Sequence, residues 1–118
     1  MNKVCLIGRL TAEPEVKLID AKADLNVGKF TLAQSDGRKD ADGKEHTNYI
    51  PVVVLGKIAI VTREFLHKGS LVGVEGILSQ RSYEREDGTR ANVIEVVCSS
   101  IDLLDKKEQA KKQPSKKA

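Results

Sequence analysis

Apolar side chains return at every second position through much of this 118-residue chain, the spacing of strands that bury one face. In residues 3–11 (KVCLIGRLT), Val4, Leu6, Gly8 and Leu10 alternate with Cys5, Ile7 and Arg9, predicting a strand buried on one face and partly on the other. Gly8 within it marks a bulge or bend. Residues 26–35 (NVGKFTLAQS) predict a second strand with Phe30 in the core. Residues 48–57 (NYIPVVVLGK) predict a third strand that is apolar on both faces. Ile50, Val52 and Val54 point one way, and Tyr49, Pro51, Val53 and Leu55 the other. One set can line a core; the other needs a second partner.

After Gly56 the period changes. Ile58, Val61, Phe65 and Leu66 fall at helical spacing, so 57–67 reads as a short amphipathic helix with Gly69 as its C′ residue. Residues 70–84 and 90–104 return to strand around a turn at 86–88. The polar, Asp- and Gly-rich stretch 36–47 (DGRKDADGKEHT) predicts an exposed hairpin loop or finger. Three strands, a helix and two strands make an all-β fold with one short helix. That is the element order of a five-stranded OB-fold barrel, with a small β-sandwich as the structural competitor.

Composition narrows this picture. The length fits one domain, 1–104, followed by a tail, 105–118, whose Lys-rich, Pro-containing sequence has no apolar period and reads as disordered. With two Phe, two Tyr and no Trp, the core must come from Val, Ile and Leu. The net charge of +3 belongs to the tail: residues 1–104 carry 14 Lys and Arg against 15 Asp and Glu. Global basicity is therefore no argument for a polyanion partner, and any such site must come from local clustering. Cys5 and Cys98 lie in apolar runs at no metal or redox spacing and read as reduced core residues. No segment has the length of a signal peptide's apolar region or of a membrane helix, so a cytoplasmic protein without a membrane partner is expected.

Catalytic signatures are absent. His46 and His67 sit in a loop and at a helix end without ligand spacing or a nucleophile, and the Gly- and Lys-containing stretches complete no phosphate loop. The acidic cluster Asp36, Asp40 and Asp42 lacks the spacing of a calcium loop. A non-enzyme without cofactor or metal is the expectation. Binding of single strands has a better physical case, because bases stack on aromatic faces beside cations that follow the phosphates. Tyr83 in QRSYER lies between Arg81 and Arg85 at i−2 and i+2, so an extended strand puts all three on one face. Taken alone, that stretch reads sooner as a solvated hairpin arm, and it gains weight only together with Tyr49.

The motifs NKVCLIGRLTAEPEVK, FTLAQS, VVVLGKIAIVTREFLHKGSLVGVEGIL and RSYEREDGTR, in this order over residues 2–104, resemble the bacterial-type single-stranded DNA-binding protein family. The resemblance implies a homotetramer, or a dimer, whose first strand takes part in pairing and around which DNA wraps. It implies that Ile50, Val52 and Val54 face the barrel core while Tyr49, Pro51, Val53 and Leu55 face DNA or a subunit. Tyr49, Tyr83 and Leu55 match base-contact positions, and Lys57, Lys68 and Arg81 match phosphate-contact positions. Arg9, Arg38, Lys39, Lys44, Arg85 and Arg90 join them from charge and expected exposure alone.

The chain also departs from the family pattern. Leu55 offers no π face, the finger has no aromatic, and Pro51 stands where a basic residue is frequent. Fewer stacking platforms imply weaker binding, each being worth roughly 1–3 kcal/mol per base. The ending KKQPSKKA lacks the family's acidic tip closing on Pro-Phe, so recruitment of replication and repair proteins through such a tip is not expected. A truncated, phage or mobile-element form would fit. The resulting expectation is non-catalytic, largely sequence-independent binding and protection of single-stranded DNA in replication, recombination and repair, at the nucleoid. A protein-interaction module like the primosome-associated relatives and an RNA-binding barrel are the alternatives.

Overall fold

Alternation between buried and exposed side chains carries most of this chain into strands, as a computed structural model describing residues 1–20, 22 and 25–105 shows. The order is β1 (Val4–Leu10), β2 (Glu15–Asp20), β3 (Leu25–Lys39), β4 (Glu45–Leu55), α1 (Lys57–Phe65), β5 (Leu71–Glu84) and β6 (Arg90–Leu103). The sheet runs β1-β5-β6-β4-β3-β2, and β1 also pairs with β3, so five strands close a ring. β1 and β2 follow one another along a single edge of β3: Leu10 is opposite Leu32, and Glu15 is opposite Lys29. The ring is the expected five-stranded barrel; β2 is an additional strand that the sequence pattern did not predict. The expected tail beyond residue 105 lies outside the described residues.

Leu10, Phe30, Leu32, Val52, Val54, Val72, Val74 and Val96 fill the interior, with Ala59 and Leu66 supplied by and just after the helix. This is the aliphatic core that the composition requires, with Phe30 its one aromatic among the described residues. Burying such a Val, Leu or Phe contributes about 1.5–3 kcal/mol each.

Closure of the ring depends on two glycines. At Gly8, where β1 passes from β5 to β3, a Cβ would stand 2.5 Å from the Ala33 carbonyl oxygen. The backbone approach is close there, and β1 shows no register shift of the kind a bulge would give. The bulge lies instead in the β5–β6 pair, between Glu75 and Gly76. A Cβ at Gly76 would meet the Val97 carbonyl oxygen at 2.1 Å.

Several local expectations are corrected. The stretch 36–47 is not one loop: β3 continues to Lys39, β4 resumes at Glu45, and His46 belongs to β4. The helix buries Ala59 and Thr62, whose Oγ1 donates to the Ile58 carbonyl at 2.8 Å, whereas Phe65 is 63% exposed. Leu66, already extended at φ −104°, ends the helix, so Gly69 is not its C′ residue. Gly69 has φ 91° in the turn closed by the Ser70 N–H donating to the His67 carbonyl. Cys5 is exposed on the outer face of β1; only Cys98 is a core thiol.

Candidate nucleic-acid interface

Strand register gathers the candidate contact residues on one outer surface. β3 and β4 are antiparallel, with Lys29 opposite Val53, Thr31 opposite Pro51 and Ala33 opposite Tyr49. β4 meets β6 in parallel at Val52↔Val96 and Val53↔Val97, and β6 is antiparallel to β5 through Ile77↔Val97, Arg81↔Val93 and Tyr83↔Ala91. Opposed residues share a face. Since Val52 and Val96 are each 1% exposed and point inward, Val53 and Val97 point out, and the parity runs on to Tyr49, Leu55, Arg81 and Tyr83. This divides the two-faced strand as the sequence implies: Val52 and Val54 are buried and Ile50 packs against the core, while Tyr49 and Leu55 are exposed.

β4 and β6 pair over two residue positions only, and the surface beside them forms a groove of about 320 Å³. Pro51, Val53 and Val93 give it apolar lining; Lys29, Thr31, Arg81 and Glu95 give polar lining. Tyr49 precedes Pro51 on the same face of β4, 67% exposed, and Tyr83 follows Arg81 on β5, 45% exposed. Both rings are thus exposed on the surface that holds the groove.

The candidate cations separate by what they already touch. Arg81 donates from Nε to Glu95 Oε2 at 3.1 Å, and its guanidinium carbon lies 5.9 Å from the Tyr83 ring centre. Arg38 donates from Nε to Asp36 Oδ2 at 3.1 Å; the guanidinium, with the Arg38 N–H and the Asn48 amide, holds the Asp36 carboxyl down at about 2. Arg9 donates to the Gly69 carbonyl at 2.9 Å and lies 3.7 Å from Asp105. Arg85 donates to Thr89 Oγ1 at 3.2 Å within the β5–β6 turn.

Lys39, Lys44, Lys57, Lys68 and Arg90 enter no ion pair among the described residues. Lys57 opens α1 two residues after Leu55. Lys68 sits in the turn after the helix, its backbone N–H bound to Glu13 Oε2 at 2.9 Å, and Glu13 itself lines the groove. Lys39 and Lys44 flank a turn in which Asp40 Oδ1 accepts from the N–H groups of Asp42 and Lys44. Arg90 opens β6 opposite Glu84. The cations thus lie at the ends of the surface and on its two hairpin arms.

Sequence reasoning missed Lys29, Thr31, Val93 and Glu95 as groove residues. The first two were accessible from parity, since a buried Phe30 turns its neighbours outward; Glu95 needed the β5–β6 register, which places it beside Arg81.

Comparison with known proteins places this surface in context. The model of the family described as "Single-strand binding protein family" matches residues 1–104. The chain is 46% identical over 105 residues to a single-stranded DNA-binding protein of Clostridium tetani, covering 89% of this chain and 71% of that one. It is 42% identical over 107 residues to single-stranded DNA-binding protein 2 of Staphylococcus aureus strain Mu50, covering 91% and 74%. Among solved structures, the Plasmodium falciparum protein in complex with single-stranded DNA superposes with a TM-score of 0.78 at 27% identity. That match covers 89% of this chain and 96% of the other.

Proposed function

The chain belongs to the single-strand binding protein family, and from that premise we propose that its outer β3-β4-β6-β5 surface binds single-stranded DNA without cutting or modifying it. The observation that carries this reading is the placement of Tyr49 and Tyr83, both exposed, on one face that also holds the open groove. Bases stack on the two rings and rest on the apolar lining, with Leu55 as a further, non-aromatic contact. Lys57, Lys68, Lys39, Lys44 and Arg90, with Arg9, Arg38 and Arg85 beside them, supply the field that holds phosphates at the ends and along the arms.

Stacking and charge do not read base identity, so binding is largely indifferent to sequence and suits protection of exposed strands in replication, recombination and repair. The working location is the bacterial-type nucleoid, in the cytoplasm. Copies of the chain assemble through β1, to a dimer and on to a tetramer, so that one strand can pass over several such faces.

Fluorescence-anisotropy titration of labelled dT oligomers over a salt series tests this reading. Binding should weaken with salt at a slope of about 0.7 per phosphate contact, with duplex DNA a poor competitor. Equal affinity for duplex and dT would refute it and favour a protein-interaction module.

A further inference from the structure

Glu95 stands out on a surface meant for a polyanion. Its side chain is 10% exposed, lines the groove and accepts a 3.1 Å bond from Arg81 Nε, while the Arg81 side chain remains 47% exposed. A carboxylate so placed neutralises the guanidinium's charge toward a third party. It also leaves the Nη amino groups free to donate outward, beside the Tyr83 ring 5.9 Å away. The rest of the groove argues the same way: Glu13, Glu15 and Glu95 line it against only Lys29 and Arg81. Phosphates would meet more carboxylates than cations there, whereas uncharged bases carry carbonyl oxygens and ring nitrogens that accept from Nη.

We infer that Glu95 is a positioning residue that makes Arg81 a base-side contact, next to the base stacked on Tyr83, and keeps it from serving as a phosphate clamp. The inference rests on the DNA-binding reading above and replaces the phosphate role expected for Arg81 from the sequence. Released from Glu95, the same guanidinium would present an uncompensated charge and reach for phosphate. Glu95 therefore sets how much of the binding is electrostatic.

The test measures salt dependence of dT-oligomer binding for the unaltered chain and for Arg81→Ala, Glu95→Gln and the double variant, alongside an abasic oligomer of equal length. The double variant, which removes both charges of the pair, should weaken dT binding relative to the unaltered chain roughly tenfold, as loss of a charge-assisted hydrogen bond does, with the salt slope unchanged and abasic binding unaffected; Arg81→Ala alone bares the Glu95 carboxylate and should weaken abasic binding as well. Glu95→Gln should steepen the slope by about 0.7, one added phosphate contact, and the double variant should lose that gain. If the double variant flattens the slope by about 0.7 relative to the unaltered chain, or weakens abasic and dT binding equally, Arg81 is a phosphate contact and the inference is overturned. Glu95→Gln is nearly isosteric and leaves a half-exposed guanidinium that can turn to solvent, so it and the double variant should fold, which melting temperatures close to that of the unaltered chain check, whereas Arg81→Ala leaves the buried Glu95 carboxylate without its ion-pair partner. Failure of the unaltered chain to prefer dT over duplex would instead sink the functional reading on which all four measurements depend.

Discussion

At the scale of single residues, Tyr49 and Tyr83 do the same chemistry from different strands, and the effect of each can be separated from charge. Tyr83→Ala should weaken dT binding by about 1–3 kcal/mol while leaving the salt slope as it is, because an aromatic ring releases no counterions. Titration at two salt concentrations checks this, and a flattened slope would contradict it. Both tyrosines were legible from the sequence because each stands on a strand with a polar or basic neighbour on its face. Glu95 was not. In the linear pattern it is one more alternating residue of a strand, and its meaning depends on the register that sets Arg81 opposite Val93 and brings the two charges together across β5 and β6. Cys5 misled for a related reason: an apolar run fixes that a strand forms, but which of its two faces turns inward depends on the partners, and here Gly8 and Leu10 take the interior.

At the scale of elements, strands that bury a face were readable and strands that do not were hidden. β2 carries exposed Leu18 and Ile19 and is held by its pairing with β3, so no clean alternation announces it. The β3–β4 arm was disguised as a loop by its Asp, Gly and Lys content, although its backbone pairs Lys39 with Glu45 across a tight turn. What steadies that arm is a cluster around Asp36, which accepts from Arg38 and from Asn48 and lies 3.7 Å from His46 Nε2. The Asp36 carboxyl, ordinarily near 3.8, is held at about 2, chiefly by the Arg38 side chain. Because the folded value is the lower one, the cluster stabilises the arm fully above the ordinary value, and this contribution is lost as pH falls through about 2. Following the Asp36 carboxyl by NMR should give a midpoint near 2. In Arg38→Ala it should move part of the way back toward 3.8, since the backbone N–H and Asn48 remain. An unmoved midpoint would show that the arginine does not govern this carboxylate.

At the scale of the whole molecule, β1 closes the ring at its end but leaves part of one edge open. From Val4 to Ile7 that strand pairs with β5 on one side only, since its contact with β3 begins at Arg9. Its outward face shows Ile7, 61% exposed, and Cys5, beside exposed Leu104. An open backbone edge next to apolar side chains is a liability in a lone chain, and a second copy pairing along β1 would relieve both at once. The two thiols can report whether that happens. Cys98 is buried, its Sγ donates to the Ser100 carbonyl at 3.2 Å, and burial pushes the thiol up, so it should resist a maleimide until the barrel unfolds. Cys5 should react at once in dilute, dissociated chains, giving one label per chain under native conditions. As concentration rises and sedimentation shows assembly, labelling of Cys5 should slow in proportion to the assembled fraction while Cys98 stays silent throughout. Should Cys5 react equally fast in dissociated and assembled protein, the copies meet elsewhere and β1 remains an open edge. Slowing that tracks assembly would place the join at the open edge of β1, leaving the Tyr49 and Tyr83 surface free for DNA.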